Sequence, residues 1–366
     1  MPHYIRFLKS PKLESSGKTS GSHSISSLIT ITTDLGDDFL AEDVELLATV
    51  QTSSQKKNIS VNKNFEWRAG NRELKISILL PRKVNVEKDT SSTTLRLGIF
   101  RAEKYDGAEI LGQATTDEVI GGWSTWFRGT PLGVQAEKLI ERVFHNEEED
   151  LPALRIWEET GNSIALHIWD AALACVREFE HAYIQHPSAL RTLHHLFHNR
   201  HASHLNAIEL GTGCGIVGIS LAQLLPSCSI LLTDLEEVQD LLSHNLAAAK
   251  MANCSTATFR ALNWEDELLP AAIARVKQDL IAVSDCTYNC DSLPVLVKTL
   301  GALVDVSPGA IVLVALKRRH ESEDVFFDLM RDARFTVKEN ATRTFSSLGL
   351  EEKVEVEMYV FERDDL

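Results

Sequence analysis

The chain has 366 residues, 44% of them hydrophobic and 24% charged, a balance that suits a globular protein large enough for two folding units. A formal net charge of -15 argues against nucleic acid as the default partner. Six cysteines without paired C-x-x-C units give no disulfide framework and suit reduced thiols in the cytosol or nucleus. No apolar run reaches the roughly eighteen residues that a membrane-crossing helix needs, so no membrane partner is expected. The opening stretch, Met1 to Ser27, lacks a secretory apolar region. It carries Arg6, Lys9, Lys12 and Lys18 among serines, which resembles a transit peptide in composition, and residues 1–24 are expected to be flexible.

Residues 25–150 read as a β-rich, turn-rich module. Leu74 to Leu80 and Thr94 to Phe100 alternate or run apolar between breakers, and Ala69-Gly-Asn-Arg72 suits a hairpin turn. Leu132 to Phe144 has helical spacing, and His145 to Asp150 is a charged, solvated link that places a domain boundary near Asp150. In the second domain, 151–366, a helix is expected over Ala165 to Phe179. His181 to His204 holds seven histidines but no cysteine at zinc-finger spacing, so a solvated helix and linker is expected there and no metal. From Leu205 onward strands and helices alternate as in a doubly wound sheet. Strands are expected at Leu205–Leu210, Ser229–Thr233, Ala257–Leu262, Asp279–Ser284, Ala310–Leu316, Phe335–Glu339 and Lys353–Phe361. Helices are expected at Ile216–Leu225, Glu236–Ala252, Leu293–Val304 and Asp324–Ala333.

The densest chemical signal is Asn206-Ala-Ile-Glu-Leu-Gly-Thr-Gly-Cys-Gly215, an apolar strand feeding glycines and then an apolar helix. That is how a nucleotide-like cofactor is cradled, because glycines let the backbone turn tightly beside the ligand. Two cofactors fit. Gly213, Gly215 and Gly218 satisfy the dinucleotide pattern G-x-G-x-x-G, with Asp234 about twenty residues on to hold ribose hydroxyls. The same stretch also reads E-x-G-x-G-x-G from Glu209.

Ile168-Trp-Asp-Ala-Ala172, Glu209 to Gly215, Asp234, Leu262-Asn-Trp264 and Asp285-Cys-Thr-Tyr288 follow one another in the order seen in the family 16 protein-lysine methyltransferases, which the chain resembles from about Arg155 to its end. The resemblance implies an α/β fold with a Rossmann-like seven-strand methyltransferase sheet, here behind an N-terminal β-rich extension that resembles no named module and is expected to be lineage-specific. It implies S-adenosyl-L-methionine as cofactor and a protein substrate whose lysine side-chain amine accepts the methyl group. The cofactor residues carried over are Trp169, Glu209, Gly211, Thr212, Gly213, Gly215, Asp234, Leu235, Asn263, Trp264 and Ser284, with Trp169, in the helix before the first strand, closing over the methionine end. Asp285 and Tyr288 are the catalytic pair on the lysine side, at the carboxyl end of an apolar strand where ligands bind in open α/β sheets. Asn263 departs from the acidic residue frequent before this tryptophan. A small-molecule N-methyltransferase and an NAD(P)-dependent oxidoreductase are the alternatives. Against the oxidoreductase, the chain has no Tyr-x-x-x-Lys pair; against a nucleic-acid base methyltransferase, Asp285 to Tyr288 holds no proline.

Overall fold

The computed structural model describes residues 2–15, 23–53, 59–81, 93–102, 109–110, 119–128, 135–146, 151–161, 163–184, 189–199, 204–345 and 354–364. The chain divides into two compact units: Met1–His145 with Arg155–His167, and Asn146–Leu154 with Ile168–Phe345 and Val354–Leu366.

The first unit is built from two sheets. One orders Leu74–Leu79, His23–Thr32, His3–Ser15 and Val119–Ile120; the other runs Leu154–Glu159, Leu139–His145, Gly122–Ser124, Thr94–Arg101, Val44–Ser53 and Ile59–Trp67. Ile5, Ile29 and Ile76 of the first sheet share one apolar core with Val50, Leu97 and Ile140 of the second. Three expectations are corrected here. The opening stretch is a strand, His3–Ser15, paired antiparallel with His23–Thr32; Tyr4, Ile5, Phe7 and Leu13 are buried, and that apolar content outweighs the serine-rich composition. Ala69 to Arg72 does turn, with Asn71 N–H donating to Arg68 O at 2.9 Å, but the strands on either side pair in different sheets, so it is no hairpin. Leu139–His145 is a strand rather than a helix, and residues 132–134 of that expectation lie outside the described residues. Its polar positions misled: Arg142 is fully buried against Glu158 at 2.6 Å and donates to the carbonyls of Ile5, Ile120 and Gly121, so a buried ion pair imitated a solvent face.

In the second unit the described strands form one seven-stranded sheet. These are β1 (Leu205–Leu210), β2 (Cys228–Asp234), β3 (Thr256–Ala261), β4 (Leu280–Ser284), β5 (Ile311–Leu316), β6 (Phe335–Phe345) and β7 (Val354–Arg363), in the order β3-β2-β1-β4-β5-β7-β6. The first five are parallel; β7 enters antiparallel to β5, and β6 antiparallel to β7. Helices α1 (Asp170–Tyr183), α2 (Arg191–His198), α3 (Ile216–Leu224), α4 (Gln239–Ala248), α5 (Ala271–Ala274), α6 (Leu293–Val306) and α7 (Val325–Asp332) connect them. Central strands such as Ile311-Val-Leu-Val-Ala-Leu316 are apolar throughout because helices cover both faces. The order reverses beside β1, whose neighbours are β2 and β4, so a crevice opens at the carboxyl ends of these strands. Helix α1 begins at Asp170; Trp169 precedes it as an extended N-cap residue, φ -106°, after a short 3-10 turn over Ile164–Leu166. Helix α4 stops at Ala248, and β6 runs on to Phe345 because β7 pairs with it along that length. Among the described residues no helix is long and apolar enough to cross a membrane.

Candidate active site

After Leu210 the chain turns through Gly211, Gly213 and Gly215, all with φ between 53° and 85°. Glycine is needed here for space as well as for φ. A Cβ on Gly211 would lie 2.3 Å from the Cys286 sulfur, and one on Gly218, in the first turn of α3, would lie 2.2 Å from Leu232 and 2.6 Å from Glu209. Thr212 N–H donates to Thr233 O at 3.0 Å, and Asn245 donates to Cys214 O at 2.7 Å, so β2 and α4 hold the loop open.

Glu209 lies beneath this loop, buried. One oxygen accepts from Thr212 Oγ1 and from Gly218 N–H, both at 2.8 Å. Burial pushes its carboxyl up to about 8 against those two bonds, with Asp234 adding to the rise. The folded chain therefore keeps a proton that the unfolded chain releases in the ordinary carboxylate range. Stability is complete below that range and is lost as pH rises toward and through about 8. Glu209→Gln, which cannot ionise, should remove that slope. From pH 6 to pH 7 the parent should lose about 1 kcal/mol that the variant keeps, read from urea unfolding at the two pH values. Parallel losses in both proteins would show that Glu209 is ionised in the fold.

Asp234 ends β2. Its two oxygens accept from Gly213 N–H at 2.8 Å and Leu235 N–H at 2.7 Å, tying the glycine loop to the strand end. Burial raises its carboxyl, and these two bonds counteract the rise. Each oxygen has a second lone pair for a hydroxyl donor, so the arrangement fits a ribose diol. Leu235 is exposed beside it. Beyond β3, Asn263 forms a turn, its side-chain oxygen accepting from Glu265 N–H at 3.1 Å. Trp264 lays its ring edge 3.5 Å from where a Gly211 Cβ would stand. Its indole nitrogen is buried and bonds to nothing among the described residues, which leaves its N–H open to an acceptor.

At the end of β4 stand Ser284, half-buried, and Asp285, buried and at φ 55°. Asp285 N–H donates to Ala315 O at 2.8 Å, which fixes its backbone against β5. Its carboxylate is met by both arms of Arg319: Nη1 to Oδ1 at 2.7 Å and Nη2 to Oδ2 at 2.6 Å. The same guanidinium lies 5.2 Å from the Trp169 ring centre. Two residues earlier, Lys317 Nζ pairs with Asp170 at 2.8 Å, and both are buried. Tyr288 is half-exposed at the mouth; burial, then Cys286, Asp234 and Asp285, raise its hydroxyl, and Arg319 opposes them, so the phenol stays protonated at neutral pH.

The crevice thus gathers Glu209, Gly211, Thr212, Gly213, Gly215 and Asp234 around one loop, and Trp169, Asp285 and Arg319 around a second point. Arg319 and Lys317 escaped the sequence reading, and Asp170, inside the motif Ile168 to Ala172, was given no role there. The available signal was Lys317-Arg-Arg319 directly after an apolar strand, at the same sheet end as Asp285. The histidine-rich stretch is α2 and its flanks: the rings of His194 and His198 lie 4.5 Å apart, tilted by 39°, and His195 bonds Asn199, while His186 and His201 lie outside the described residues. Among the described residues no group of three metal-ligating side chains forms.

Residues 148–333 match the model of a family described as lysine methyltransferase. The UPF0665 family protein C23C4.06c of Schizosaccharomyces pombe is 28% identical over 88% of this chain and 91% of its own length. That span takes in most of the first unit, which is therefore shared with this relative. The protein-lysine N-methyltransferase EFM3 of Chaetomium thermophilum is 31% identical over 32% of this chain and 37% of its own. The protein-lysine N-methyltransferase EFM6 of Saccharomyces cerevisiae is 27% identical over 59% of this chain and 85% of its own.

Proposed function

The chain belongs to the lysine methyltransferase family, and from that premise we propose which of its side chains serve each half of the reaction. The protein is an S-adenosylmethionine-dependent protein-lysine N-methyltransferase. When bound, the cofactor supplies a methyl group activated by a sulfonium. Asp234 accepts the two ribose hydroxyls, and Gly211, Thr212, Gly213 and Gly215 present backbone to the ligand. Trp264 and Leu235 wall the adenine, and the Asn263 amide stands at its rim. Glu209 acts through the loop it is bonded to. Trp169 and Ser284 flank the methionine end.

Asp285 and Tyr288 serve the acceptor. A lysine docked there would have to be neutral for its nitrogen lone pair to accept the methyl group that the cofactor would supply when bound. Asp285 aligns that nitrogen, and the Tyr288 ring and hydroxyl line its path. The observation that carries this reading is the glycine loop held by Asp234 at the end of β2, beside a Trp264 N–H without a partner among the described residues, in one crevice with Asp285 at the end of β4. All six cysteines are free thiols, which supports a reducing compartment, cytoplasmic or nuclear.

Incubation with labelled S-adenosylmethionine and protein extracted from cells lacking the enzyme tests the assignment. A labelled band whose modified residue maps to lysine is expected; label only in small amines or in nucleic acid would sink it. Tyr288→Phe keeps the ring and loses one hydroxyl, so the rate of labelling should fall roughly three- to tenfold. An unchanged rate would leave the hydroxyl no part in the reaction.

A further inference from the structure

A carboxylate facing a lysine ammonium creates a difficulty for methyl transfer. An unpaired negative charge holds the ammonium and also stabilises it, whereas the reaction consumes the neutral amine, and a free lysine already keeps its proton to a pKa near 10.4. The structure shows how this chain answers it. The Asp285 side chain is 2% exposed and that of Arg319 is 19% exposed, so their two bonds are shielded from water. Arg319 is itself held in place: its backbone N–H donates to Glu323 at 3.1 Å, one arm reaches Lys317 O at 3.3 Å, and its plane lies over Trp169. Bidentate pairing of this kind fixes orientation as well as charge.

We propose, resting on the lysine-methylation reading above, that Arg319 is a positioning residue of methyl transfer: it aligns Asp285 and cancels its charge, so that the acceptor lysine docks on an oriented carboxylate yet gives up its proton readily. The other charged and titratable groups around that point support a near-neutral balance. Lys317 is matched by Asp170 across α1 and β5. Tyr288 and Cys286, on the Asp285 loop, are both held protonated, burial being the main cause in each. Asp234, from the end of β2, is raised by burial, and Glu209 beneath the loop is pushed up to about 8.

The charge at the pair can be stepped. Arg319→Met leaves Asp285 uncompensated, a change of one negative charge; Asp285→Asn leaves Arg319, one positive; the double variant leaves neither. Single-turnover rates against pH, with the isolated acceptor from the labelling experiment saturating, should shift the midpoint of the rise according to the charge left at the pair. Arg319→Met should sit about one pH unit above the parent, the double variant near the parent, and Asp285→Asn about one unit below. Binding of the same acceptor with S-adenosylhomocysteine in place, read by calorimetry, should be several-fold tighter for Arg319→Met and weaker for Asp285→Asn. Should Arg319→Met fail to fold, Asp285→Asn alone still decides, because a midpoint that does not move down overturns the proposal. Equal rate losses with unmoved midpoints would reduce Arg319 to a structural brace and overturn the proposal. A parent enzyme that labels no protein lysine would overturn the lysine reading and this inference with it.

Discussion

Replacing Asp234 with alanine should weaken S-adenosylmethionine binding by two orders of magnitude or more while leaving the empty protein folded. Two groups of interactions go at once. The proposed ribose bonds are lost, and so are the bonds from Gly213 and Leu235 N–H that hold the loop against β2. Hydrogen bonds to a charged acceptor are worth about 1.5 to 3 kcal/mol each, so losing the ligand pair alone accounts for about a hundredfold. The fold should tolerate the change, because burial raises this carboxyl and an ionised group there works against the folded state at neutral pH. Asp234→Asn keeps one acceptor oxygen and should lose nearer tenfold. Calorimetry with S-adenosylmethionine and with its demethylated product measures both, alongside the thermal midpoint without ligand. An alanine variant binding within threefold of the parent would move the ribose elsewhere.

The second unit was legible in the sequence where its physics is local. β5 and all but the last residue of β4 read as unbroken apolar runs, and β1 and β2 as mostly apolar ones, because both faces are covered, and the glycines after β1 mark a turn whose positive φ only glycine takes freely. What the sequence hid depends on partners far along the chain. Arg319 and Asp285 are 34 positions apart and meet only because β5 lies beside β4. In the first unit, Arg142 and Glu158 made a buried strand resemble a helix with a wet side, since an ion pair inside the core carries the same letters as one on the surface. The turn at Gly70 was visible, but which sheet each flanking strand joins is decided by pairing outside that window.

Asp285→Asn should cut the limiting rate of methyl transfer about a hundredfold with little change in cofactor affinity. Asparagine is the discriminating choice. Asp285 sits at φ 55°, where Asn is tolerated nearly as well as Asp, so the backbone and its bond to Ala315 are kept and only the charge is removed. The side-chain amide can accept from one arm of Arg319 but presents an NH2 to the other, so the two-armed registry breaks. Displacement at a methyl group requires the nitrogen, carbon and sulfur in line, and a misplacement of about 1 Å costs about 10²-fold in rate. Asp234, Gly213 and Trp264 are untouched by the change, which is why binding of S-adenosylhomocysteine should stay within a few-fold of the parent. Single-turnover transfer to the labelled acceptor, with circular dichroism to show that the variant is folded, measures the loss. A near-normal rate would remove Asp285 from the reaction, and a matching fall in cofactor affinity would place it on the wrong side of the crevice.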